Sequence, residues 1–163
     1  MSKLDRLDAA IVELLMEDGR MSCAEVARRI GKVSERSVRY RIDRLVHRKV
    51  IHISAIPRPQ ALGFAVVADV VIEVEPGHVR EVAQTLVGCD CVSYVACSTG
   101  ERDVSIQVVT HDNAELYNFV SDVVGKVPGV RRTTTFLVPL ILKDVYEWRI
   151  PRGCVVDAKG GAG

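Results

Sequence analysis

The stretch Ser22–Lys49 constrains this chain more than any other. Ser22-Cys23-Ala24-Glu25 is an S-x-x-E box, in which the Ser22 hydroxyl can accept the Glu25 amide while the Glu25 carboxylate reaches back to the Ser22 amide. Val26, Ala27 and Ile30 follow as a short apolar stripe, and Gly31 stops the helix. Ser34 can cap a further helix whose Val38, Ile42, Leu45 and Val46 face inward. Around that stripe stand Arg36, Arg39, Tyr40, Arg41, Arg44, Arg48 and Lys49, opposed by Glu35 and Asp43. A short capped helix, a brief turn and then a basic helix is the pattern of a helix-turn-helix whose second member enters the major groove of DNA.

A third helix precedes these two. After Asp5, Leu7, Ile11, Leu14 and Leu15 recur at helical spacing, and Asp18-Gly19 ends the run. On the basic helix, Glu35, Arg36, Ser37 and Arg39 occupy the first turns and are expected to reach base edges, with the capping Ser34 counted among the DNA-binding residues. Arginine offers two parallel donors that match guanine O6 and N7. Tyr40, Arg44 and Arg48 are expected at phosphates, where contacts add affinity without sequence information. Charge agrees with double-stranded DNA as partner of the first part of the chain. Residues 1–60 hold thirteen Lys/Arg against eight Asp/Glu, a balance of +5, whereas residues 61–163 hold nine against thirteen, a balance of −4.

Val50-Ile51-His52-Ile53-Ser54-Ala55-Ile56 alternates with β-branched residues and predicts a strand, stopped by Pro57 and Pro59. Residues 1–50 are thus expected as the helix-turn-helix domain and 51–60 as a β-linker. From 61 to 150 the predicted order is β-α-β-β-α-β. Its elements are a strand over Phe64–Val74, a helix over His78–Val87, a strand over Val92–Ala96, a loop over Ser98–Arg102 and a strand over Asp103–Thr110. A helix led by the Asp112-Asn113-Ala114-Glu115 box and a last strand over Arg131–Leu142 complete it. That order is the ferredoxin-like fold, two helices on one face of an antiparallel sheet. The uncovered sheet face predicts a homodimer in which sheets pack together. The glycine-rich segment 151–163 predicts a flexible tail.

No apolar run reaches the roughly 18 residues of a membrane helix, so no membrane association is expected. MSKLDRLDAA has no signal-peptide core, which predicts a cytoplasmic protein with reduced thiols. Among the five cysteines, Cys89 and Cys91 form a C-x-C pair, but no second pair completes a four-ligand set. Neither a metal site nor a cofactor is expected. His47, His52, His78 and His111 share no motif, and no nucleophile or P-loop signature is present, so no catalytic residue is assigned.

The whole order resembles the Lrp/AsnC, or feast/famine, family of transcriptional regulators over about residues 4–150. The likeness rests on LDRLDAAIVELLMEDGRMSCAEVARRIG, SERSVRYRIDRL and RKVI in the first half, and on STGERD, VPGV and RTTTF in the second. It implies an α+β protein: an N-terminal winged helix-turn-helix joined by a β-linker to a C-terminal ferredoxin-like βαββαβ domain that senses an effector. It further implies dimers that assemble to tetramers or octamers, with an amino acid or related metabolite bound between dimers. The family's Thr-Gly-x-x-Asp loop maps onto Thr99, Gly100, Glu101, Arg102 and Asp103. The backbone N–H groups around Gly100 are suited to a carboxylate, and Asp103 either to an α-ammonium or simply to capping the turn. Thr134 and Thr135 of the last strand are expected near the same pocket.

Two residues depart from the family pattern. Lys32-Val33 makes the turn one residue longer than usual, and Arg102 stands where an aromatic residue is common. Two other functions share the scaffold: a nucleoid-type architectural protein with little sequence preference, and a tetrapyrrole decarboxylase. The scattered histidines argue against the second.

Overall fold

The computed structural model describes residues 4–100 and 102–156. In chain order its elements are β1 (Leu4–Asp5), α1 (Arg6–Glu17), α2 (Cys23–Ile30), α3 (Glu35–His47), β2 (Val66–Val74), α4 (Val79–Val87), β3 (Val92–Cys97), β4 (Val104–Thr110), α5 (Asn113–Asn118), β5 (Val130–Leu137) and β6 (Val155–Val156). They divide into two compact units. One runs to Ile56 and takes in the segment that begins at Lys143; the other is Pro57–Leu142.

In the first unit each helix begins on the side chain that sequence chemistry would choose. Asp5, Ser22 and Ser34 accept the amides of Asp8, Glu25 and Ser37, relieving N–H groups that a helix start leaves without partners. The predicted box at Ser22 closes on one side. The Glu25 carboxylate turns to Arg28 instead, taking two N–H bonds at 2.8 and 2.6 Å, because a guanidinium fork is a stronger donor than one amide. Ile11, Val26 and Val38 are fully buried where the three helices meet. A second cluster joins Leu4, Val12 and Leu45, with Val50, Ile51 and Ile150 against it.

The second unit has the expected βαββαβ order, with the sheet ordered β3-β4-β2-β5 and every pairing antiparallel. β4 alternates strictly: Val104, Ile106 and Val108 are buried, and Ser105 and Gln107 face away. Ala68, Val70, Ile72 and Val74 of β2 join them, covered by Val82, Ala83 and Leu86 of α4 and by Leu116 of α5. α5 is shorter than its apolar stripe predicted. It passes into a π-turn at Phe119–Val123 and a 3-10 turn at Val124–Lys126, which together still deliver Val124 to the core.

Three boundaries differ from the sequence reading. Residues 50–58 form no strand, because among the described residues no neighbour supplies a ladder; Ile53 and Ile56 are left exposed. β5 stops at Leu137. Val138 donates to the Val67 carbonyl at 2.8 Å, and Pro139 then has no N–H to continue, so Leu142 lies 87 % exposed. The segment from Lys143, expected within the ferredoxin-like domain and then as a flexible tail, belongs to the first unit. Ile150 seats against Leu4, Val12 and Leu45, and β6 pairs in parallel with β1, Leu4 opposite Val155 and Asp5 opposite Val156. Apolar Ile150 and the β-branched Val155-Val156 find there an edge to cover. The rest of the expected tail, 157–163, lies outside the described residues. No helix among the described residues is long and apolar enough to cross a membrane.

Candidate nucleic-acid interface

α3 carries two surfaces. Val38 and Leu45 lock it into the core, so the residues at helical spacing on the opposite side have to face out. Arg36, Tyr40, Asp43 and His47 form that outward stripe, and all four are exposed. Tyr40 leaves 66 % of its surface in solvent, an unusual exposure for a large aromatic ring. Asp43 and His47 escaped the sequence reading, although the same spacing from Arg36 and Tyr40 would have found them.

Of the residues expected at bases, Arg36 is exposed to solvent. Arg39 Nη2 donates to Glu35 Oε1 at 2.8 Å, one turn back on the same face. That bond, with the Glu35 charge, raises the Arg39 guanidinium above its already high ordinary value, so it stays cationic at every working pH. Ser34 and Ser37 serve the helix itself, hydroxyl accepting amide at 3.2 Å. The turn before them holds the extra residue: Gly31 and Lys32 both take positive φ, 72° and 55°. A positive φ is uncommon for a residue with a side chain, so Lys32 is strained there.

Arg44, expected at phosphate, is redirected. Its Nη2 donates to Asp8 Oδ2 at 2.7 Å, and Arg41 Nη1 donates to Asp8 Oδ1 at 2.8 Å and to Asp5 Oδ2 at 2.6 Å. Asp8 is buried, so it draws cations inward that would otherwise face solvent. Burial pushes the Asp5 carboxyl up, but the Arg41 hydrogen bond, the Asp8 amide and the Arg41 charge outweigh it and hold the group below its ordinary value. For Arg41 burial works downward, and the bonds to Asp5 and Asp8 lift the guanidinium above its usual value. Asp8 sits four residues after Leu4 and three before Ile11, on an otherwise apolar face. That position was the signal that it needed a buried partner. Arg48 is exposed at the end of α3.

The expected effector residues divide in a similar way. Asp103 Oδ2 accepts the Val74 amide at 2.8 Å, and the Asp103 backbone closes the loop by accepting from Ser98 N at 2.8 Å and donating to Ile72 at 3.0 Å. Oδ2 of this carboxylate thereby holds the loop on β2, the turn-capping role that the sequence allowed. Gly100 has φ 131°, a value that favours glycine, and Thr99 is exposed beside it. Glu101 lies outside the described residues. Arg102 stands over the Phe136 ring, 5.5 Å from its centroid. Thr134 is opposite Val71 and Thr135 opposite Val70, so the two threonines point to opposite faces of the sheet. Thr134 shares the open face with Phe136, whereas Thr135 is on the helix side.

Residues 4–46 match the AsnC-type helix-turn-helix domain, and residues 67–147 match the Lrp/AsnC ligand binding domain. An HTH-type transcriptional regulator of Pyrococcus abyssi, itself described as uncharacterised, is 38 % identical over 92 % of this chain and 92 % of its own length. The chain belongs to the Lrp/AsnC family of transcriptional regulators. Another relative in Pyrococcus abyssi, the HTH-type transcriptional regulator FL11, is 34 % identical to this Lrp/AsnC protein over 88 % of this chain and 95 % of its own. Among solved structures, Escherichia coli AsnC superposes with a TM-score of 0.80 at 23 % identity, covering 89 % of this chain and 99 % of that one. A transcriptional regulator of Neisseria meningitidis, solved as its L-Met complex, reaches a TM-score of 0.80 at 23 % identity, with 86 % and 93 % covered. At such identities the structural likeness is one of fold. This family member therefore carries an AsnC-type helix-turn-helix domain within residues 4–46 and an Lrp/AsnC ligand binding domain within residues 67–147.

Proposed function

We propose that this regulator reads a specific DNA sequence as a homodimer that assembles further, to a tetramer or octamer. A small molecule, an amino acid or related metabolite, shifts its assembly or its DNA affinity. The protein acts without catalysis, in the cytoplasm. The observation that carries the DNA reading is the outward stripe of α3, where Arg36, Arg39 and Tyr40 stand exposed on a helix whose opposite side is locked in a core. In a dimer, two such helices enter successive major grooves about 34 Å apart.

Two features support self-association. On the open sheet face Tyr94 is 51 % exposed and Phe136 46 %, beside half-buried Val71, a surface that a second sheet would cover. The β-branched run Val50–Ile56 has strand chemistry without a ladder, which a second copy can supply. For the effector, the match to a ligand-binding domain and the L-Met bound to the Neisseria relative favour an amino acid. Its carboxylate would meet the Thr99-Gly100 backbone and Arg102, with Thr134 on the same face and Asp103 shaping the loop.

The test is a competition titration: duplex selected by this protein from a random pool, bulk DNA as competitor, and amino acids added in turn. A selected duplex preferred by about a thousandfold, with an amino acid that shifts the curve or the sedimenting species, bears the proposal out. A flat preference moves the protein to the architectural class. A preference that no amino acid alters removes the effector half.

A further inference from the structure

Four arginines punctuate α3, and the structure sorts them into two pairs. Arg36 and Arg39 stay in solvent, while Arg41 and Arg44 turn back onto the first turn of α1. The acceptor at the centre is Asp8, whose side chain is 5 % exposed. Each of its oxygens takes one guanidinium, Oδ1 from Arg41 and Oδ2 from Arg44. The same Arg41 nitrogen bridges to Asp5, and Asp5 in turn caps α1 through the Asp8 amide at 2.8 Å. One connected network therefore ties the start of α1 to the middle of α3 at two points three residues apart. If α3 rotated or slid by one residue, both bonds could not be kept.

Such a network is a poor source of stability. Removing two cations and a carboxylate from water costs most of what their attraction returns, and an apolar trio of like size often does as well. Here Arg44 Nε is also buried with no hydrogen-bond partner among the described residues. What the charges add is direction. Apolar side chains tolerate small slides, whereas a guanidinium–carboxylate bond weakens steeply with angle and distance. Direction matters most on the helix whose far side has to meet base edges.

We infer that Asp8, assisted by Asp5, is a positioning residue for DNA reading. It sets the register and tilt at which α3 presents Arg36, Arg39 and Tyr40, and it withdraws Arg44 from the phosphate-binding set. The inference rests on α3 being the DNA-reading helix.

The Asp8→Asn variant separates this from the alternative by sign. If Arg44 were a phosphate contact parked on Asp8, freeing it and deleting a negative charge would tighten binding to every duplex. If Asp8 positions α3, the full-length variant loses roughly tenfold or more, about the worth of one base contact, on the duplex selected by the wild-type protein. Its affinity for bulk duplex then does not fall, so the specificity ratio drops. Circular dichroism checks the fold. Should Asp8→Asn unfold, Arg44→Met decides through the salt dependence of bulk-DNA binding. An unchanged slope supports positioning, and a slope lower by about 0.9 identifies a lost phosphate contact and overturns the inference. Equal or tighter binding of Asp8→Asn to the selected duplex overturns it as well. If the wild-type protein selects no duplex, sequence-specific reading fails, and the Arg44→Met slope still judges where Arg44 is engaged.

Discussion

The two units are held together by different materials. Among the described residues the second buries thirteen apolar side chains in one continuous cluster. The first divides seven between two clusters, and ion pairs between its helices add fixed geometry to them. Arg29 joins α2 to Glu17 of α1 at 2.8 Å, and Arg41 and Arg44 join α3 to Asp8. Apolar burial is large and non-directional, whereas an ion network is smaller, sensitive to pH and fixed in geometry. The unit that has to present a reading helix uses the directional material.

The contrast breaks or sharpens under mutation. The largest effect is expected at Ile106, 1 % exposed in the middle of β4. Ile106→Ala should cost about 2–5 kcal/mol through the cavity it leaves, measured by denaturant unfolding. Trp148, the chain's single tryptophan, lies in the first unit and reports that unit separately. If its fluorescence transition moves with the far-UV signal, the units do not unfold independently and the contrast fails.

Asp5→Ala comes next. It removes the α1 cap and one acceptor of Arg41, at a cost of about 1–2 kcal/mol in the Trp148 transition. Acid makes the same point without mutation. Because the folded Asp5 carboxyl lies below its ordinary value of 3.8, the unfolded chain takes up a proton more readily. The Asp5 contribution is therefore complete above pH 3.8 and is lost as pH falls through the depressed value. In that window the Trp148 signal should change before the sheet signal of the second unit. A single shared acid transition would contradict it.

Smaller still is Lys32→Gly, which relieves a left-handed φ in the helix-turn-helix turn and should raise the melting temperature of the first unit, a gain on the order of 1 kcal/mol or less. A loss would mean that the lysine side chain itself matters there. Smallest is Arg28→Ala, whose two bonds to Glu25 lie in full solvent. No measurable change in stability is expected, as for most surface ion pairs.

Much of this architecture was legible in the chain. The three helix starts could be placed because each cap acts on an amide three residues away, and β4 because a half-buried strand alternates. Local chemistry was enough wherever the deciding partner lay within one turn. It failed at Val50–Ile56, which has the residues of a strand but no ladder. Nor could it pair Arg44 with Asp8, thirty-six positions distant. The stripe Arg36–Tyr40 was found and its continuation to Asp43 and His47 was not. At the effector loop Gly100 takes the turn conformation expected of it, and of the two readings of Asp103 the fold displays the turn-capping one, through the Val74 amide.

Capping, periodicity and charge, all properties of neighbouring residues, were sufficient for the helix-turn-helix, the βαββαβ order and the basic face of α3. Which arginines of that face remain available, where β5 stops contributing to the sheet and where the chain from Lys143 to Val156 comes to rest depended on contacts between distant residues. A buried carboxylate takes the nearest cations it can reach in space, and a short strand takes whatever edge lies open, and neither partner is marked in the sequence around it.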